Sequence, residues 1–221
     1  MISLFCGTPG SGKSLNASRE IRVFLKYSGD VIGTFPINED CLFKNTKYKY
    51  HYVDIYSLNP RFLRDFSKEH RKNNFKREGA FLLVIDEAQR KFNSRSYSSQ
   101  DRLDWITFFA EHRHLGYDVI LISQNERMLD RQIRECIEYT FVHRKMSQFG
   151  IAGRIFSLFT GQFVVVKTWR PLKEKISSYF FRGSKSLYNF YDSYMLFDSP
   201  EEGGEGDPDE GEEKGVAPTR L

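Results

Sequence analysis

Residues Gly7-Thr8-Pro9-Gly10-Ser11-Gly12-Lys13-Ser14 follow directly on the apolar run Ile2-Ser3-Leu4-Phe5-Cys6, and this junction constrains the fold more than any other feature of the chain. The pattern G-x-x-x-x-G-K-[ST] is the Walker A phosphate loop. Its glycines let the backbone take positive φ angles and curl amide N–H groups around phosphate oxygens, and the following helix adds the positive end of its dipole. Lys13 is then expected to reach the β- and γ-phosphates, Ser14 to offer its hydroxyl to Mg2+, and Leu15 to close the loop as the helix begins. Leu15 to Tyr27 supports that helix, because Leu15, Ile21, Phe24 and Leu25 fall roughly on one face. The expected bound species is ATP with Mg2+.

A second run, Phe81-Leu82-Leu83-Val84-Ile85, is continuously apolar, as a buried parallel strand is, and ends in Asp86-Glu87. In this Walker B arrangement Asp86 is the expected Mg2+ residue and Glu87 the base that orients and deprotonates an attacking water. Binding needs no base and hydrolysis does, so the adjacent Glu87 carries the expectation of an ATPase. A third apolar run, Val119-Ile120-Leu121-Ile122, lies in a strand expected over Asp118 to Ser123. It puts Gln124 at the strand end where a residue sensing the γ-phosphate or the attacking water would stand.

The chain has 221 residues and 40% hydrophobic content, enough for one sizeable α/β domain. Cys6, Cys41 and Cys136 are odd in number and widely spaced, so neither a disulfide framework nor a zinc site of C-x-x-C type is indicated, and a reducing cytoplasm is the expected setting. No apolar stretch approaches the roughly 18 to 20 residues that span a bilayer. The net charge of +4 is unevenly spread. Residues 201 to 221 carry eight acids against Lys214 and Arg220, a balance of −6, which leaves 31 basic and 21 acidic residues, +10, in residues 1 to 200. The acidic, glycine-rich tail has too little apolar surface to order itself. It reads as a solubilising tail or as a shield for a basic surface.

Between the nucleotide motifs, Val31 to Phe35 reads as the second strand and Tyr52 to Tyr56 as a further short one. Arg61 to Arg77 reads as a basic amphipathic helix with Phe62, Leu63 and Phe66 on its apolar edge, able to touch DNA phosphates or an anionic membrane, or simply to face solvent. Leu103 to Leu115 reads as a helix with Leu103, Ile106, Phe109 and Ala110 on one face. From Gln162 to Phe197, Trp169, Tyr179-Phe180-Phe181, Tyr188, Phe190, Tyr191 and Tyr194 alternate with cations, which suits a docking surface as well as a packed core.

The ordered set Gly-Thr-Pro-Gly-Ser-Gly-Lys-Ser, Ile85-Asp86-Glu87, Phe92-Asn93-Ser94-Arg95-Ser96, Arg113-His114-Leu115-Gly116-Tyr117-Asp118 and Gln124 resembles the zonular occludens toxin (Zot) domain family, which includes the filamentous-phage assembly and export ATPases. The resemblance covers roughly Met1 to Lys145. It implies a three-layer α/β P-loop NTPase with a mostly parallel sheet, FtsK/HerA-like. Residues 1–145 would be the ATPase core, 146–198 a C-terminal extension packed on or near it, and 199–221 a disordered acidic tail.

The function implied is a motor that couples ATP hydrolysis to assembly and export of a filamentous phage or related single-stranded DNA element, peripheral at the cytoplasmic face of the host membrane. Its implied partners are further copies of itself in a homo-oligomeric ring, a phage coat or membrane assembly protein, and single-stranded DNA or its binding protein. Arg95, Arg113 and Arg134 match basic positions of the family pattern, and one of them would act in trans as an arginine finger. Exporting members usually continue into a membrane-spanning helix, whereas here an acidic tail follows, so membrane association through a partner is expected. A small-molecule or nucleotide kinase and a non-hydrolytic, nucleotide-gated interaction module are the alternatives.

Overall fold

A computed structural model describes residues 1–71, 78–93 and 99–191. Arg95, the end of the expected 61–77 helix and the acidic tail lie outside these residues. The elements in chain order are β1 (Ile2–Cys6), α1 (Lys13–Tyr27), β2 (Asp30–Gly33), β3 (Tyr50–Tyr52), α2 (Pro60–Arg71), β4 (Phe81–Ile85), α3 (Ser99–Glu111), β5 (Tyr117–Ser123), α4 (Arg131–Glu135), β6 (Tyr139–Lys145), α5 (Gly150–Thr160), β7 (Phe163–Trp169), β8 (Glu174–Phe181) and α6 (Lys185–Tyr188).

All eight strands form one sheet in the order β3-β2-β4-β5-β1-β6-β7-β8. The first six in that order pair in parallel, and β7 and β8 are added antiparallel to β6. Every residue of β1 and β4 is buried, which explains their unbroken apolar sequences: both faces of these strands are covered, so alternation has no solvent side to serve.

Successive side chains point to opposite faces and build two cores. On one face Ile2, Leu4, Leu83, Ile85, Val119 and Leu121 pack with Leu63 of α2, Trp105, Phe108 and Phe109 of α3 and Ile133 of α4. On the other, Phe5, Val31, Leu82, Val84, Ile120 and Ile122 meet Ala17, Ile21 and Leu25 of α1 and, from the far end of the chain, Phe190. Helices on both sides of the sheet make three layers, the α/β P-loop architecture that the sequence predicts.

Two expectations are corrected. Tyr52 to Tyr56 does not continue as a strand: β3 stops at Tyr52, because the Asp54 carboxylate accepts hydrogen bonds from the Tyr56 and Ser57 amides at 2.8 and 3.3 Å and turns the chain. In α3 the expected face holds only in part: Phe109 is buried and Ile106 packs against the core, whereas Leu103 is 58% exposed and Ala110 is exposed. Trp105, Phe108, Phe109 and His112 are the buried set. Their spacing of three, one and three residues is a helical stripe, and the large indole and phenyl surfaces outweigh the single leucine on the adjacent face. α2 begins where expected, with the Asn59 side chain accepting from the Phe62 amide at 2.9 Å and Pro60 at the first helical position.

The two faces of α3 respond differently to truncation. Trp105→Ala is expected to cost about 3–5 kcal/mol in denaturant unfolding, and Leu103→Ala under about 0.5 kcal/mol; similar losses at the two sites would contradict the buried face seen here.

Candidate active site

The phosphate loop leaves β1 at its carboxyl end, between β5 and β6. The Gly7 amide donates to the Gln124 carbonyl at 3.3 Å, and the Ser11 amide closes the turn onto Thr8 at 3.2 Å. Gly7 has no room for a side chain: at φ +146° an added Cβ would stand 2.4 Å from the His143 carbonyl oxygen and 2.7 Å from Ser11 Oγ. Gly12 takes φ +90°, and its Cβ would strike the Phe163 ring at 2.8 Å. No side chain caps the start of α1, so its first amides and the positive end of its dipole are directed at the loop. Lys13 Nζ donates to the Gly7 and Thr8 carbonyls at 2.9 and 3.1 Å, and burial lowers its pKa.

Parallel pairing of β4 with β5, and of β5 with β1, brings the carboxyl end of β4 to the same edge. There Ser14 Oγ lies 3.4 Å from Asp86 Oδ2. The Asp86 amide is anchored on Thr34 Oγ1 at 2.9 Å, and Asp86 Oδ1 accepts from the Glu87 amide at 2.7 Å. Burial pushes the Asp86 pKa up from the ordinary carboxylate range, against the opposing pull of Lys13. A carboxylate so removed from water, beside a serine hydroxyl, is a hard oxygen pair suited to Mg2+. Glu87 is held at φ +46°, a left-handed conformation uncommon for a residue with a Cβ, and its carboxylate accepts a hydrogen bond from Gln89 Nε2. The two acids therefore point differently, Asp86 toward Ser14 and Glu87 toward Gln89.

A cavity of about 570 Å3 opens beside Gly10, Gly12, Lys13, Ser14 and Leu15. Its other wall comes from parts of the chain in which the sequence shows no nucleotide motif: Asn38 after β2, Phe163 of β7, and Leu187, Tyr188, Asn189 and Tyr191 around α6. Burial, with the nearby Asp86 carboxylate second, raises the pKa of the Tyr191 hydroxyl, and its ring packs edge-on against Phe35 with centroids 4.8 Å apart. The Phe190 carbonyl accepts from the Asn38 amide at 3.0 Å and fixes this segment over the loop. The aromatic stretch read as a docking surface thus contributes Phe181 and Phe190 to the core, and Tyr188 and Tyr191 to the cavity. No local spacing signals these roles, because they arise from contacts across more than a hundred residues.

A buried polar relay supports the loop from below. Asn16 of α1 is fully buried and reaches His143 Nε2 at 3.1 Å and the Tyr179 hydroxyl at 3.0 Å, while His143 Nδ1 lies 2.9 Å from the Phe141 carbonyl. This set assigns the proton to Nδ1, leaving Nε2 as the acceptor for the Asn16 amide.

The remaining sequence candidates are more scattered. Gln124 follows β5 at the loop edge with its side chain exposed, near Thr8, Arg144 and Gln148 around a smaller cavity. Arg113 lies at the other end of the strands, before β5, where its Nη2 donates to Glu138 Oε2 at 2.7 Å. Five residues of β1 separate the two edges by roughly 16 Å. Arg134 sits on α4, with its carbonyl accepting from the Arg170 guanidinium. Neither arginine shares the cavity beside Lys13.

His143 gives the relay a pH dependence. Burial holds its pKa down at about 4, against 6.5 for the free side chain. The unfolded chain therefore takes up the proton first, so the neutral ring's contribution is fully present above about pH 6.5 and is lost as the pH falls toward 4, a span worth at most about 3 kcal/mol. Denaturant unfolding across that range is expected to show falling stability in the natural chain and a shallower fall in His143→Gln; parallel curves would remove His143 from the account.

The sequence matches the family model for zonular occludens toxin (Zot) over residues 1–196, beyond Lys145, where the sequence resemblance was read to end. It is 31% identical over 135 residues to the gene 1 protein of Enterobacteria phage M13, a match covering 56% of this chain and 38% of that one. The chain thus spans well under half the length of such relatives. Among solved structures, the N-terminal domain of zonular occludens toxin from Neisseria meningitidis superposes with a TM-score of 0.53 at 19% identity, covering 86% of this chain and 98% of that one. The genome packaging NTPase B204 from Sulfolobus turreted icosahedral virus 2, in complex with ATP-gammaS, gives 0.51 at 15% identity over 80% of this chain and 96% of that one. With a family match over most of its length and the P-loop architecture described above, the chain belongs to the zonular occludens toxin (Zot) family.

Proposed function

We propose that this protein is an ATP-hydrolysing motor for assembly and export of a filamentous phage or a related single-stranded DNA element. The observation that carries the reading is the meeting of Lys13, Ser14 and the Asp86-Glu87 pair at one edge of the sheet, with Ser14 Oγ 3.4 Å from Asp86. Lys13 is within reach of the loop that would cradle the phosphates and, released from the Gly7 and Thr8 carbonyls, would bind their β and γ groups. Ser14 and Asp86 would hold Mg2+, which supplies charge neutralisation to the transferring phosphoryl group. Glu87, aimed away from Asp86 by its left-handed backbone, is the base for the attacking water, with Gln89 orienting its carboxylate. Gln124, beside the loop, would sense the γ-phosphate. The genome packaging NTPase, bound to ATP-gammaS, supports nucleotide binding at this site, and the adjacent Glu87 favours water over a kinase's acceptor.

Assembly into a homo-oligomeric ring would let Arg113, Arg134 or Arg95 of one copy face the nucleotide of the next. Phage coat or assembly protein and single-stranded DNA or its binding protein remain the partners that a motor of this kind would engage.

Attachment to the inner face of the host membrane would use α5. Its Ile151, Leu158 and Phe159 are 77%, 70% and 82% exposed, and Ile155 and Phe156 are also exposed. Among the described residues no helix is long and apolar enough to cross a membrane. Eleven residues of α5 extend only about 16 Å, half a bilayer core, so this helix would lie in the interface, with Arg154 and neighbouring Arg144, Lys145 and Arg182 meeting anionic headgroups.

Steady-state ATP hydrolysis tests the catalytic reading. Lys13→Ala and Glu87→Gln are each expected to lower turnover by about 100-fold or more, with Glu87→Gln still binding nucleotide. Turnover that rises more than proportionally with protein concentration would support the ring. Hydrolysis undiminished in Glu87→Gln would reject Glu87 as the base, and nucleotide binding with no hydrolysis above that of Glu87→Gln would return the nucleotide-gated module to the front. Flotation with anionic liposomes is expected for the natural chain and lost in a Leu158→Ser/Phe159→Ser variant; equal flotation of both would reject α5 as the membrane surface.

A further inference from the structure

At the amino-terminal edge of the sheet, away from the phosphate loop, three potential metal ligands converge from three separate elements. Asp30 opens β2, His51 is the middle residue of β3, and His70 lies near the end of α2. The strand register explains two of them. His51 pairs with Ile32 in parallel, and Asp30 is two residues before Ile32, so all three present the same sheet face, the one that Leu63 of α2 covers. The third follows from helical spacing, because Phe66 and His70 are four residues apart on the face of α2 turned toward Phe81. His70 stacks on Phe66 with centroids 4.0 Å apart, and His51 meets Phe66 edge-on at 5.0 Å.

The distances suit metal coordination and also lie within the range of a carboxylate–imidazolium ion pair. Asp30 Oδ2 lies 3.6 Å from His51 Nε2 and 3.5 Å from His70 Nε2, and one donor atom from each of the three residues falls within 4.8 Å of the others. These separations exceed the roughly 2.7–3.2 Å of a hydrogen bond. The two Asp30 separations are close to the edge of about 3.4 Å expected when ligands sit about 2.1 Å from a tetrahedral centre.

The other polar atoms are already engaged in ways that orient the donors. His70 Nδ1 lies 2.9 Å from the Phe66 carbonyl, which puts the ring proton there and leaves Nε2 as a lone pair. Asp30 Oδ1 accepts from the Lys49 amide at 2.9 Å, leaving Oδ2 for the centre. His51 Nε2 is screened from solvent without a hydrogen-bond partner. A backbone carbonyl holding the far nitrogen of a ligand histidine is the usual outer support of a metal site.

We propose that Asp30, His51 and His70 form a binding site for a divalent transition metal of the zinc type, which clamps α2 to β2 and to the edge strand β3. Two imidazoles and one carboxylate favour such a metal over Mg2+ or Ca2+, which select all-oxygen sets. The side chains of Asp30, His51 and His70 are 17%, 31% and 29% accessible, so an ion can reach the cluster from solvent although His51 Nε2 itself is screened, and water can complete the coordination. Asp30 stands four residues before Thr34, the partner of Asp86, so this centre is roughly 13 Å from the proposed nucleotide site and separate from its Mg2+.

The test uses the full chain, with reduced cysteines, stripped by chelator and without nucleotide, titrated with Zn2+ and with Co2+ as a spectroscopic probe. One equivalent should bind, with the visible absorption of four-coordinate Co2+. At a hundredfold excess of Zn2+ over its dissociation constant, the unfolding midpoint should rise by about 5 °C or more. His70→Gln, His51→Gln and Asp30→Asn should each weaken binding at least about 100-fold and abolish the thermal shift, while His114→Gln, an exposed histidine elsewhere, leaves both intact. Unchanged circular dichroism and nucleotide binding in the variants would show that they fold. Absence of stoichiometric binding, binding that survives all three ligand variants, or binding lost instead in Asp86→Asn or Cys41→Ser, would overturn the assignment.

Discussion

Parallel pairing of β1 with its neighbours β5 and β6, and of β5 with β4, is the constraint on which the candidate site depends. Parallel strands put all their carboxyl ends at one edge, and a buried parallel sheet is stable only when helices cover both faces. The fully apolar β1 and β4 meet that requirement, and in doing so carry Gly7 to Ser14 and Asp86-Glu87 to a common edge from positions more than seventy residues apart. The chemistry is thus placed by the hydrophobic core, and the polar residues need only stand one step beyond the last buried position of each strand. The same geometry locates the Asp30, His51 and His70 cluster, since residues that begin β2 necessarily lie at the opposite edge.

Within the site, desolvation and strain set the behaviour of the charges. Burial disfavours the ionised forms of both Lys13 and Asp86, so each is left with a need for opposite charge that the loop carbonyls, Thr34 and the Glu87 amide only partly meet. A phosphate chain with its cation answers both needs at once, which is why burial here is an argument for ligand binding rather than against it. The left-handed backbone at Glu87 follows directly on Asp86, and the Glu87 carboxylate accepts from Gln89 rather than joining Asp86 at Ser14.

The chain downstream of Lys145 shapes the site more than its sequence suggests. Phe163 of β7 closes against Gly12, and Tyr191 lines the cavity beside Ser14 near the Asp86 carboxylate. The nucleotide cavity is therefore bounded by the last described residues of the chain, and a change in that segment would be felt at Asp86. α5 contrasts with this packing: between β6 and β7 it leaves Ile151, Leu158 and Phe159 in solvent, an arrangement suited to an external apolar or interfacial surface.

Local signals carried much of this molecule. The glycine spacing of the loop, the unbroken apolar strands and the Asp-Glu step are properties of short windows, because a phosphate cradle and a two-sided buried strand each demand particular residues in consecutive positions. From these the α/β class, the strand–loop–helix start and the pairing of Ser14 with Asp86 were legible. The tertiary structure alone decided what depends on distant segments meeting: the antiparallel addition of β7 and β8, the Asn16–His143–Tyr179 relay, the Tyr191 wall of the cavity, the placement of Arg113 at the far edge, and the convergence of Asp30, His51 and His70. Even within one helix, Trp105 rather than Leu103 faces the core, since the competition among apolar stripes is settled by the shape of the surface that receives them. A single sequence encodes such contacts only through the fold, and no spacing between the partners marks them beforehand.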